Sequence, residues 1–132
     1  MKVLCIGEAL IDMICTDRGS RLADGQNFLK KAGGAPANVA AAIAALGGQV
    51  DMAAKVGKDP FGQNLIDLMT EMGVNTKWVI QDSNAFTTFA FVSLMEDGER
   101  DFYFNRGADG QLSMADLAPR FFVTFSSKTN AF

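Results

Sequence analysis

The stretch Gly33-Gly34-Ala35-Pro36-Ala37-Asn38-Val39-Ala40 holds the residue types and spacing best suited to binding chemistry, with Gly47 seven positions after Ala40 and Gly57 ten further on. Two adjacent glycines let a backbone come close to a ligand, and where they lead into a helix its first amides point outward unpaired. Asn38 falls in the first turn of that helix and offers both a donor and an acceptor, which suits a hydroxyl-rich ligand. The plainer reading is a tight entry turn with Asn38 satisfying nearby backbone, and the spacing leaves both open. Other chemistries are absent. The chain has no histidine, which removes any mechanism built on an imidazole base, a His ligand or a Ser-His dyad. It has no GxxxxGK[ST] phosphate loop, no GxGxxG after the first strand and no GxSxG elbow. Its carboxylates are scattered, so spacing alone asserts no acid/base pair.

Elements that could position these residues alternate through the first half. Residues 2–7 read as a strand buried on both faces. Residues 16–27 read as loop, with a short strand over 28–30. A helix begins at Gly34-Ala35-Pro36, where proline fits the first turn, and ends at Gly47-Gly48. Its apolar run, 35–46, is expected to be buried. Residues 49–56 give the next strand. Asp59-Pro60 then repeats a capped start, with Phe61, Leu65, Leu68, Met69 and Met72 on one helical face and Gly73 at its end. Later segments are β-branched and aromatic: 78–80, 87–95 and 100–104, with Asp97-Gly98 as a hairpin turn. Ser113 opens a short capped helix, and 121–125 reads as another buried strand. The pattern is α/β, a mostly parallel sheet plus an antiparallel element.

The 132 residues, 48% apolar and 20% charged, suit one folded unit with a buried core. A net charge of −3 argues against nucleic acid as a partner. The longest apolar run falls short of the roughly 20 residues of a membrane span. The N-terminal run is too short for a secretory signal. Cys5 and Cys15 lack a CxxC spacing and read as reduced structural residues of a cytoplasmic protein.

Four segments in order resemble the ribokinase-like, or PfkB, carbohydrate kinases. They are Gly7-Glu8-Ala9-Leu10-Ile11-Asp12, residues 32–40, Lys55-Val56-Gly57-Lys58-Asp59-Pro60-Phe61-Gly62, and residues 98–106, the last most similar to fructokinases and related hexose or ketodeoxygluconate kinases. The resemblance implies a ribokinase-like fold, a central mostly parallel sheet flanked by helices with a small β lid near 13–32 and 87–106. It also implies transfer of the ATP γ-phosphoryl group to a sugar hydroxyl, with Mg2+. Carried over residue by residue, Asp12 at the end of the first strand accepts from sugar hydroxyls. Gly33, Gly34 and Asn38 line the same pocket, Arg106 reaches in from the hairpin and Phe104 packs on the sugar. The bland alternatives are that Asp12 caps a turn and Arg106 is a solvated hairpin charge. Asp59 reads as a helix cap.

The family carries its catalytic aspartate in a Gly-Ala-Gly-Asp motif that this sequence lacks; Gly107-Ala108-Asp109-Gly110 is a scrambled look-alike. The expectation is therefore residues 1–132 as the N-terminal, sugar-binding part of such a kinase, without the nucleotide-binding half, the base or a metal site. Such a chain is expected to be inactive alone, to bind ATP and Mg2+ poorly, and to be marginally stable. The alternative is a non-catalytic sugar-binding or dimerisation module. Strands 87–95 and 100–104 carry apolar residues on both faces, and similar kinases use such a lid for dimer contacts, so the resemblance also implies a homodimer through the hairpin.

Overall fold

The computed structural model describes residues 1–118. In chain order the elements are β1 (Lys2–Ile6), β2 (Leu10–Cys15), β3 (Phe28–Gly33), α1 (Ala35–Ala45), β4 (Gln49–Gly57), α2 (Pro60–Glu71), β5 (Asn75–Asp82), β6 (Phe89–Leu94) and β7 (Arg100–Asn105), then a 3-10 turn over Ala108–Gln111. They form a parallel sheet in the order β1-β4-β5 and a mixed sheet in the order β3-β2-β6-β7. The α/β class holds, but the second sheet is more than a hairpin. It has four strands, with β2 and β6 paired in parallel at its centre.

The β1–α1–β4 and β4–α2–β5 crossovers place α1 and α2 on the same face of the parallel sheet. Val50, Met52, Ala54 and Val56 of β4 meet Ala37 and Ala40 of α1 and Leu65 and Met69 of α2 there, in one core that also takes in Ile11 of β2. The opposite face holds a smaller cluster of Ala53, Trp78 and Leu117, flanked by Leu4 and Leu112. Asp51 ties the three strand starts together, accepting from Asn75 Nδ2 at 2.8 Å and Trp78 Nε1 at 3.1 Å and pairing with Lys2 Nζ at 2.9 Å.

Both helix starts follow the sequence. α1 begins after Gly34 at φ 102° and is closed by Gly47 at φ 83°, conformations that favour glycine. Asp59 caps α2, accepting from the Phe61 and Gly62 amides at 3.1 and 2.8 Å. Three expectations change. β4, in the centre of its sheet, is the strand buried on both faces, whereas β1 lies at the edge and leaves Ile6 half-exposed. α1 buries only Ala37 and Ala40 and turns Val39 and Leu46 outward, so it is a one-sided helix. α2 buries Gly62, Leu65 and Met69, while Met72 stays outside and Phe61 packs edge-on against Phe89 of β6 at 4.8 Å between ring centroids.

The Asp97-Gly98 turn closes the β6–β7 hairpin, with Gly98 at φ 84°. The helical backbone of 114–118 follows Ser113, whose amide and hydroxyl both donate to Asp116 Oδ2, at 2.9 and 3.1 Å. The expected strand at 121–125 lies outside the described residues. Among the described residues no helix is long and apolar enough to cross a membrane, and Cys5 and Cys15 are buried free thiols.

Candidate functional site

Asp12 does not end the first strand; it is the third residue of β2, near the middle of the four-stranded sheet. An acidic residue interrupting an apolar run hid this strand from the sequence reading. Across the sheet, Lys31 of β3, Asp12, Ala90 of β6 and Phe104 of β7 are successive cross-strand partners and form one row on one face. Along that face an open groove of about 400 Å³ is lined by Asp12, Ile14, Val92, Leu94 and Phe102, among others.

The paired glycines fit Asp12 to the start of α1. A Cβ on Gly33 would stand 2.1 Å from Asp12 Oδ2, so the carboxylate lies in the space a side chain would fill. A Cβ on Gly34 would meet the Glu8 carbonyl oxygen at 2.4 Å, and that residue's positive φ already demands glycine. The turn thus brings the Asp12 carboxylate against Gly33, two residues before α1 begins. Asn38 donates its backbone N–H to the Gly34 carbonyl at 2.9 Å. Its exposed side chain makes no hydrogen bond among the described residues, so it is not spent on nearby backbone.

Arg106, just past β7, is not a free surface charge. Its Nη1 lies 3.0 Å from Asp109 Oδ2 and its Nη2 lies 3.5 Å from Glu8 Oε2. The guanidinium sits 5.4 Å from the centre of the Phe104 ring, a cation–π placement. Glu8 and Asp109, with Thr88 behind them, are residues that sequence reasoning missed as contributors. Glu8 stands in the Gly7–Asp12 segment quoted above, and Asp109 falls three positions after Arg106, but neither spacing is diagnostic by itself.

Burial, and then the Glu8 charge, raise the Asp12 carboxyl above its ordinary value. Asp12 and Gly33 are in direct contact, and Asn38 joins them through Gly34, the next residue in the chain. Arg106 joins through Glu8, and Phe104 shares the Asp12 row. A carboxylate lodged over the glycine turn that opens α1, with an unengaged carboxamide in the first turn of that helix, offers acceptors and donors for the hydroxyls of a small ligand.

The pfkB family carbohydrate kinase profile matches residues 1–127. Probable fructokinase-5 of Arabidopsis thaliana is 45% identical over 117 residues, 87% of this chain and 36% of its own length. Among solved structures, the Halothermothrix orenii fructokinase aligns with a TM-score of 0.81 at 32% identity, covering 86% of this chain and 40% of that one. The ATP-bound Xylella fastidiosa fructokinase aligns at 0.77 with 44% identity, covering 87% and 36%. The chain thus spans little more than a third of the length of these relatives. Matched almost end to end by the family profile, it belongs to the pfkB family of carbohydrate kinases.

Proposed function

We propose that this chain supplies the sugar-binding part of an ATP-dependent kinase that phosphorylates a hydroxyl of fructose or a related sugar. The observation that carries this reading is the Asp12 carboxylate lodged over Gly33 beside the start of α1. In this reading Asp12 accepts from sugar hydroxyls, Asn38 and the α1 amides hydrogen-bond neighbouring oxygens, Arg106 closes the hairpin side and Phe104 packs on the ring. Phosphoryl transfer rests almost entirely on positioning and charge stabilisation. These residues provide the positioning of the acceptor. The family's Gly-Ala-Gly-Asp base does not occur in the 132 residues. Among the described residues no three His, Cys, Asp or Glu side chains gather as a metal site, so the Mg2+ implied by the family finds no ligand set on them. The chain by itself therefore binds sugar without turning over ATP. Calorimetry with fructose, alongside an ADP-release assay, tests this; no heat of binding with fructose, or ADP release that depends on it, overturns it.

A second reading, a dimerisation module, rests on a specific observation. Leu29, Leu94 and Phe102, on the same sheet face as Asp12, are each about half exposed, and grouped apolar exposure of this kind marks contact surfaces. Sedimentation velocity over a concentration series tests it, and a monomer at every concentration refutes it.

A further inference from the structure

We propose that Asp109 is a positioning residue that fixes the Arg106 guanidinium at the rim of the sugar cleft; this rests on the reading of Arg106 as a sugar-facing group. The Asp109 side chain is 1% exposed, yet it belongs to a short turn at the protein surface. A carboxylate that deeply buried needs partners for both oxygens. Oδ1 accepts from the Thr88 hydroxyl, and Oδ2 takes Arg106 Nη1 at 3.0 Å. Thr88 is itself locked. Its Oγ1 accepts from the Gly107 amide at 2.8 Å, and its carbonyl accepts from the Ile11 amide of β2 at 3.0 Å. The Ala108 amide donates to the Phe86 carbonyl at 2.8 Å, pinning the same turn one residue away.

Arg106 is 51% exposed, and a long side chain so placed ordinarily samples many rotamers. Here Asp109 holds one edge of the guanidinium, Glu8 holds Nη2 and the Phe104 ring lies beneath. Holding the fork in advance removes an ordering cost from ligand binding. The carboxylate that does this is anchored through Thr88 to the strand next to β2, which carries Asp12. Asp109 therefore ties the Arg106 guanidinium to the strand pair that carries Asp12, without itself facing the ligand.

The test uses the full chain and four proteins: unaltered, Asp109→Asn, Arg106→Gln and the double variant. Fructose affinity is read by calorimetry, folding by circular dichroism, and guanidinium order by the separation of the Arg106 Nη signals in nitrogen-edited NMR at low temperature. Loss of one charge-assisted hydrogen bond predicts that Asp109→Asn weakens fructose binding about tenfold and merges the Arg106 Nη signals while the fold persists. In the Arg106→Gln background the same change should add almost nothing. An equal tenfold loss in that background, or unchanged Nη signals in Asp109→Asn, overturns the proposal. Thr88→Val, which removes the hydroxyl that seats Asp109, is measured in the same way and replaces Asp109→Asn if that variant does not fold. If the unaltered chain shows no fructose binding, the sugar reading of the cleft fails, and the Nη signals alone decide whether Asp109 orders Arg106.

Discussion

Substituting each member of the glycine pair separates binding from folding. An alanine at 33 would put its Cβ 2.1 Å from Asp12 Oδ2 and 2.7 Å from Asp12 Cγ. Ordinary contact needs about 3.5 Å, so the carboxylate must retreat by roughly 1.5 Å. Gly33 has no positive φ, so the backbone accepts alanine. The obstacle is the tip of a side chain that can rotate, at about 0.5–1.5 kcal/mol for a displaced rotamer. The stiffer unfolded chain returns about 0.4–1 kcal/mol, and the net change in stability stays within about 1 kcal/mol. Gly34→Ala is different. Its φ of 102° costs roughly 1–2 kcal/mol for a residue with a Cβ. Its Cβ would also strike the Glu8 backbone oxygen, which cannot rotate away, for a total of about 3 kcal/mol or more. For a chain of this size 1 kcal/mol moves Tm by about 3–5 °C. Gly33→Ala should therefore melt within about 5 °C of the unaltered chain, and Gly34→Ala about 10 °C or more below it. Moving the carboxylate removes at least one charge-assisted hydrogen bond to the ligand, so Gly33→Ala should weaken fructose binding by about tenfold or more. Thermal melts and calorimetry decide. A Gly33→Ala chain that binds fructose normally, or that is as unstable as Gly34→Ala, refutes the placement of Asp12 over Gly33.

Asp12→Asn should stabilise the chain at neutral pH. The raised folded-state pKa means the charged form is disfavoured in the fold, a penalty present above the folded pKa and absent below the unfolded value near ~4. The Tm gap between variant and parent should close as pH falls toward ~3, and a constant gap contradicts the assignment. Asp59→Ala removes the α2 cap and the acceptor of the Thr87 amide and hydroxyl, and denaturant unfolding should show a loss of about 3 kcal/mol. Burial pushes the Asp51 and Asp59 carboxyls up, but hydrogen bonds from Lys2, Trp78 and Asn75 to the first, and from Gly62, Thr87 and Phe61 to the second, outweigh it and hold both low. Their stabilisation is present above the unfolded pKa near ~4 and is lost as pH falls through the lower folded values. Trp78, the single tryptophan, should report unfolding by its emission in that acid range, and an acid-insensitive spectrum refutes the linkage.

The parts that sequence made legible are those with local causes. Pro36 and Pro60 at helix starts, Asp59 as a cap and Gly47 and Gly98 in turns each act within a few residues. The four-stranded sheet was only partly legible because its centre is a pairing between Ile11 and Phe89 neighbourhoods that no local pattern announces. β1 looked doubly buried because its composition is that of a central strand, while its position at the sheet edge is a property of topology. Asp12, Gly33, Gly34 and Asn38 were found through motif order, and the contact of Asp12 with Gly33 is a matter of register. Asp109 is not legible because its role depends on Thr88 and Arg106, one just before β6 and the other just after β7, at the two ends of the hairpin.

The mixed sheet is stitched from two stretches of chain lying on either side of α1, β4, α2 and β5. During synthesis from the N-terminus, β2 and β3 emerge first and can pair only with each other. The other side of β2 then offers unpaired amides and carbonyls until residues 89–92 arrive. Distant partners of this kind make folding slow and leave the nascent hairpin open to wrong pairing. A relative's sheet could not be grafted onto this chain as one insert, because the exchange would need two separate splices whose registers agree.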